Sequence, residues 1–142
     1  MRGVLLPATP AQIGTILGGE TVYCSAGRNM NETGHPLRVF LYETKNGGGC
    51  GLVMGEMWIG PGYEMPKRSR EAPKGFEIAA RTKTTNMAYA PEARYSAAYI
   101  GAAKSWFYEV LFTQRYAVPV DIARVVWKGS TKPPRVWKYI EC

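Results

Sequence analysis

The residues of this chain with the clearest chemical potential are one acid and a run of cations. Glu56 is the single charged residue within Leu52–Ile59, a stretch otherwise apolar apart from Gly55. A carboxylate set there must face solvent or a polar pocket, because burying it unpaired is costly. Arg28 and Arg38 are the cations that would pair with it if its role is structural. Lys67, Arg68, Arg70 and Lys74, with Arg81 and Lys83 beyond them, are interspersed with prolines 61, 66 and 73. Nothing ties these side chains to a core, so they suit contact with nucleic-acid phosphates, or else a solubilising face. Tyr63 and Phe76 flank the run and offer rings to unpaired bases, as Trp137 does if it is not simply packed in the core.

Glu56 needs a strand to hold it, and the surrounding sequence supplies a hairpin. Val39, Leu41 and Glu43 alternate with Arg38, Phe40 and Tyr42, a β-type pattern with large residues on both faces. Lys45-Asn46-Gly47-Gly48-Gly49 then provides residues that tolerate positive φ, so the chain reverses into the strand that carries Glu56. These glycines lack a G-K-[ST] ending and open no helix, which makes them a turn and not a phosphate loop. Upstream, Gly3–Leu6 reads as a first strand. Thr9 and Pro10 start a helix as N-cap and first helical residue; Ile13, Ile16 and Leu17 form its apolar stripe, and Gly18-Gly19 ends it. Thr21–Cys24 reads as a second strand and Ala26–Pro36 as a polar loop. Downstream, Pro61–Ala90 has no period, Pro91–Ala103 reads as a helix, and Trp106–Arg115 as a strand. Val118–Val126 adds a short strand or turn, and Val136–Ile140 closes the chain. The expected class is α+β: a small, mostly β barrel with a short N-terminal helix and a further helix in the second half.

Bulk properties narrow the partners. At 142 residues a single domain spanning 1–142 is expected, able to bury roughly 68–70% of its unfolded surface. The excess of 18 Lys and Arg over 11 acids gives a net charge of +7, which favours an anionic partner, nucleic acid before any membrane. Cys24, Cys50 and Cys142 are far apart, and with the lone His35 they make no zinc set at the usual spacings. No cofactor or metal is expected. Pro7 and Pro10 interrupt the apolar start well short of a signal core, and no apolar run reaches membrane-spanning length, so a reduced, cytoplasmic setting is expected.

Three separated pieces, ILGGETV, VFLYETKNGGGCGLVMGEM and KPPRVWKYIE, line up in order with one pattern. They resemble the ASCH domains of the PUA-like superfamily, particularly small stand-alone forms of phages and prophages. FYEVLFTQRYAVPVDI is similar to the family's late strand. The match leaves out the basic insert at about 61–85. The resemblance implies a PUA-like barrel with a cleft beside the first helix, and a module that binds RNA, DNA or a nucleotide. It also implies an alternative, hydrolysis of an acylated nucleoside, since one branch of the family is an amidohydrolase using a lysine, a threonine and a glutamate. Thr21 matches the threonine and Glu56 the glutamate; where the lysine is expected this chain has Glu20 or a gap. Arg28 is the nearest substitute for a further arginine that is missing. Thr21, Glu56, Arg28 and Trp137 are therefore the expected ligand-binding residues, with Thr21 and Glu56 the candidates for any catalysis. A third alternative is a phage-type accessory protein that binds a host protein and keeps the barrel only as scaffold.

Overall fold

The computed structural model describes residues 1–19, 22–65 and 105–142. Six strands and one α-helix are found there: β1 (Arg2–Ala8), α1 (Pro10–Leu17), β2 (Val22–Ala26), β3 (Leu37–Glu43), β4 (Val53–Met65), β5 (Ser105–Val120) and β6 (Lys138–Glu141), with a 3-10 turn at Ile122–Arg124. Hydrogen bonding orders the strands β2-β5-β4-β3-β1-β6. The sheet is mixed: β1 runs parallel to β3 and antiparallel to β6, and β2 antiparallel to β5. This is the small α+β fold expected. The helix expected at Pro91–Ala103 lies outside the described residues.

The chain divides into two compact units, and the first is built from Met1–Gly18, Leu37–Trp58 and Phe112–Cys142. Its centre is β1, flanked on both edges by β3 and β6, which explains why Val4, Leu5 and Leu6 are all buried. Leu5, Phe40, Tyr42, Val53, Ile122, Val126 and Ile140 form one apolar cluster. Burying side chains of this size contributes about 1.5–3 kcal/mol each. The start of α1 follows the expectation: Thr9 Oγ accepts from the Gln12 amide at 3.2 Å and Gln12 Oε1 accepts from the Thr9 amide at 2.9 Å, a closed capping box. Its Ile13 and Ile16 are the buried residues.

The β3–β4 reversal ends in a bulge. The Glu43 amide donates to Leu52 O at 2.9 Å and the Gly51 amide to Glu43 O at 3.0 Å, while Gly51 has φ +74°. That arrangement places two residues opposite one and needs glycine at the first of them. The Glu43 carboxylate secures the loop by accepting from the Cys50 amide at 3.0 Å.

The second unit comprises Gly19–Pro36 and Ile59–Leu111. Val22–Ala26 of β2 pairs with Glu109–Ser105 of β5. The following loop is held by buried Asn31, whose side-chain amide donates to the carbonyls of His35 (2.7 Å), Ile59 (3.2 Å) and Gly60 (2.9 Å). The hydroxyl of buried Tyr108 accepts from the Met30 amide at 2.8 Å. Asn31→Ala would leave buried carbonyls without donors, and it is expected to cost about 2 kcal/mol in chemical denaturation. A loss below about 0.5 kcal/mol, the range of ordinary surface changes, would show that water replaces the amide there.

Two strands run further than their sequences suggest. β4 continues through Gly60-Pro61-Gly62 to Met65, and β5 continues past Arg115 to Val120, with Pro119 next to its end. Pro119, one residue from the end of β5, is compatible with β structure because a ladder donor is not required there. β6 begins at Lys138, so Trp137 precedes the closing strand.

Candidate functional site

Glu56 lies on β4 and is 4% exposed. Both oxygens are engaged twice. Oε2 accepts from Arg38 Nε at 2.7 Å and from Trp58 Nε1 at 2.9 Å, and Oε1 accepts from Arg38 Nη2 at 2.8 Å and from the Tyr116 hydroxyl at 2.9 Å. An ionised carboxylate offers about four acceptor positions, so this one is saturated. The Arg38 pair is bidentate, the geometry that makes a guanidinium–carboxylate contact strong and directional.

Each partner is delivered by strand geometry. Arg38 is on β3, across the hairpin; Trp58 is two residues along β4, on the same side as Glu56 by the period of the pleat; Tyr116 comes from β5, the neighbouring strand. The Arg38 guanidinium also lies over the rings of Phe40 (4.6 Å) and Trp58 (5.9 Å), which restricts its swing. The electrostatics follow. The Arg38 hydrogen bonds hold the Glu56 carboxyl below the ordinary carboxylate range, against the opposing effect of burial and with help from Tyr116 and Trp58. The Tyr116 phenol is pushed up, first by burial and then by its bond to the carboxylate. Arg38 is raised by the same pairing. All three groups are thereby fixed in their ordinary charge states.

Above this quartet opens a recess of about 580 Å³. Arg38, Glu56, Gln114 and Tyr116 supply polar groups, Phe40, Val118 and Val120 an apolar wall, and Arg124 an exposed cation. No residue of α1 lines it, although Leu17 reaches Gly55, the residue before Glu56. The size matches pockets for small organic ligands, which are mostly apolar with a few placed polar groups.

The expected site residues fall differently. Arg38, and not Arg28, is the arginine bonded to Glu56. Arg28 is exposed in the loop after β2. Trp137 is buried, with its ring edge-on to Tyr139 at 5.0 Å, so it packs as a core residue. Thr21, Lys67, Arg68, Arg70, Lys74, Arg81 and Lys83 lie outside the described residues. Tyr116 and Trp58 belong to the site as well, and neither is among the residues expected there. Period-two spacing from Glu56 points to Trp58; Tyr116 has no local signal, because β4 and β5 are far apart in sequence. Among the described residues no group of three or more His, Cys, Asp or Glu could hold a metal ion, and no helix is long and apolar enough to cross a membrane.

Among solved structures, the chain is similar to the ASCH protein of Zymomonas mobilis. That crystal structure matches with a TM-score of 0.63 and 14% identity over 98% of this chain and 87% of the other. A serine-to-alanine variant of the same protein gives a TM-score of 0.64 at 12% identity, over 98% and 88%. A tyrosine-to-phenylalanine variant gives 0.62 at 12%, over 98% and 90%. The chain therefore has the ASCH fold that its motifs implied. No family model matches the sequence, and no curated protein matches it significantly.

Proposed function

We propose that this chain is a nucleic-acid- or nucleotide-binding module of the PUA-like type, and that its ligand is received in the recess over Arg38, Glu56 and Tyr116. The observation that carries this reading is the recess itself: a concave surface of nucleotide size with a rigid polar floor, an apolar wall and the cation of Arg124. A net charge of +7 draws an anionic ligand toward it. The basic run Lys67, Arg68, Arg70 and Lys74 is proposed on charge alone to contact the backbone of a longer strand.

Binding is favoured over amide hydrolysis by the state of Glu56. A general base must accept a proton from water. Here all four acceptor positions are already taken, and the lowered pKa weakens the carboxylate as a base. The floor is built to stay as it is.

The test is titration of labelled RNA and DNA oligonucleotides, and of mononucleotides, at several salt concentrations. Arg124→Ala is expected to weaken binding about fivefold, near 1 kcal/mol, without a change in melting temperature. Changing Lys67, Arg68, Arg70 and Lys74 together to Ala should flatten the salt dependence of oligonucleotide binding by about 0.7–0.9 for each phosphate no longer neutralised. Failure of every nucleotide and oligonucleotide to bind at low salt would overturn the reading, and an acidic protein partner would become the better explanation of the charge.

A further inference from the structure

The segment from Arg124 to Lys138 carries five cations (Arg124, Lys128, Lys132, Arg135 and Lys138) and no acid. Trp127 and Lys128 of this segment pair with the outer edge of β6. The Trp127 amide donates to Glu141 O at 2.7 Å, and Lys128 makes a β-bridge with Glu141, which in turn pairs with Arg2 of β1. Lys128, Glu141 and Arg2 therefore stand side by side across the sheet edge. Beside them is a second recess, of about 280 Å³, lined by Arg2, Lys128, Ser130, Lys138 and Glu141 among others. Three cationic residues and one carboxylate residue line it, and the carboxylate of Glu141 also pairs with the N-terminal ammonium of Met1 at 3.6 Å.

Two of the cations, Arg2 and Lys138, are held in place. The Arg2 guanidinium lies 3.3 Å from the centroid of the Tyr139 ring. Lys138 Nζ donates to the carbonyls of Ser130 (3.3 Å) and Lys132 (3.1 Å), which ties the loop down and leaves a third N–H to spare. Trp127 is 80% exposed at the same edge, while Trp137 of the same segment is buried. An indole this exposed, one residue before Lys128, has the makings of a stacking surface.

We infer that this edge is a second contact surface for a single-stranded nucleic acid, with a backbone phosphate in the Arg2–Lys128–Lys138 recess and an unpaired base on Trp127. The two contacts differ in kind. The recess neutralises charge and is indifferent to sequence; the indole stacks on any base face and is nearly insensitive to salt. The inference rests on the nucleic-acid reading above and adds where a strand longer than one nucleotide is gripped.

The experiment is fluorescence anisotropy with labelled oligouridylate and oligothymidylate at several salt concentrations, using the full chain. Trp127→Ala is expected to weaken binding by about 5- to 100-fold with an unchanged salt slope, and Trp127→Phe to restore most of the loss. Arg2→Ala with Lys128→Ala should reduce the slope by about 0.7 for each phosphate no longer neutralised. Arg2, Trp127 and Lys128 are exposed, so the variants should stay folded, with loss of the Arg2–Tyr139 contact lowering the melting temperature by a few degrees at most. If the parent chain binds the oligonucleotides and the edge variants bind equally well with the same slope, this surface is refuted while the recess reading stands. If the parent chain binds neither oligonucleotide at low salt, both fall.

Discussion

Replacing Glu56 by glutamine should lower the stability of the protein by about 2–3 kcal/mol, or roughly 5–10 °C in melting temperature for a chain of this size. The amide would keep one acceptor oxygen and turn an NH2 group toward donors that had been bonded to the carboxylate. Arg38 would then retain its charge without its partner. Loss of one member of a fully buried pair costs about 3–5 kcal/mol, but the Arg38 side chain is 34% exposed and can recover some hydration, hence the smaller value. The pH dependence has a definite sign. The Glu56 pKa is lowered from its ordinary 4.5, so the stabilisation is complete above that value and is lost as pH falls through the lowered one. The difference between parent and Glu56→Gln should accordingly shrink in acid. Urea denaturation from neutral pH downward measures it, and a difference that persisted undiminished at the acid end would mean that shape, and not charge, sets the role of Glu56.

Gly55→Ala is expected to be at least as damaging, at about 3 kcal/mol, although it adds a single methyl group. A Cβ at this position would overlap the Gln114 carbonyl oxygen and would lie 3.1 Å from both Arg115 Cα and Leu17 Cδ1. Two of those neighbours are backbone of β5 and cannot swing aside. Because β5 also delivers Tyr116, the substitution should disturb the bond from Tyr116 to Glu56 as well as the packing. Gly60→Ala is the internal control: its nearest neighbours, Glu109 Cβ and O, are 3.9 Å away, so it should cost less than about 1 kcal/mol. Equal losses for the two variants in thermal denaturation would contradict the close approach at Gly55.

The hairpin and α1 are legible in the sequence because their signals are local. Thr9, Pro10 and the i, i+3, i+4 stripe specify α1 within a few residues, and the glycines after Glu43 specify the reversal. The ends of β4 and β5 are less legible: the stretch without a period begins at Pro61 and the β-type run stops at Arg115, where the strands in fact continue. Glu56 is identifiable as the anomaly of its strand, and Arg38 as one of two possible partners. The quartet is not. Tyr116 lies 60 positions from Glu56, and no spacing rule links them until β5 is known to pair beside β4. Trp137 illustrates the opposite case: its residue type suggests stacking, but burial makes it part of the core. The exposed tryptophan of the same segment is Trp127.

Whether the recess over the Glu56 quartet receives a nucleotide is reported directly by one resonance. The indole N–H of Trp58 donates to Glu56 Oε2, one bond removed from the recess lining. In a 15N-labelled sample titrated with mononucleotides at low salt, that indole signal should shift in a saturable way, together with the amides of Arg38, Tyr116 and Arg124. Its saturation curve should weaken about fivefold in Arg124→Ala. An indole signal that stays unmoved while shifts saturate elsewhere on the protein, or not at all, would contradict the account.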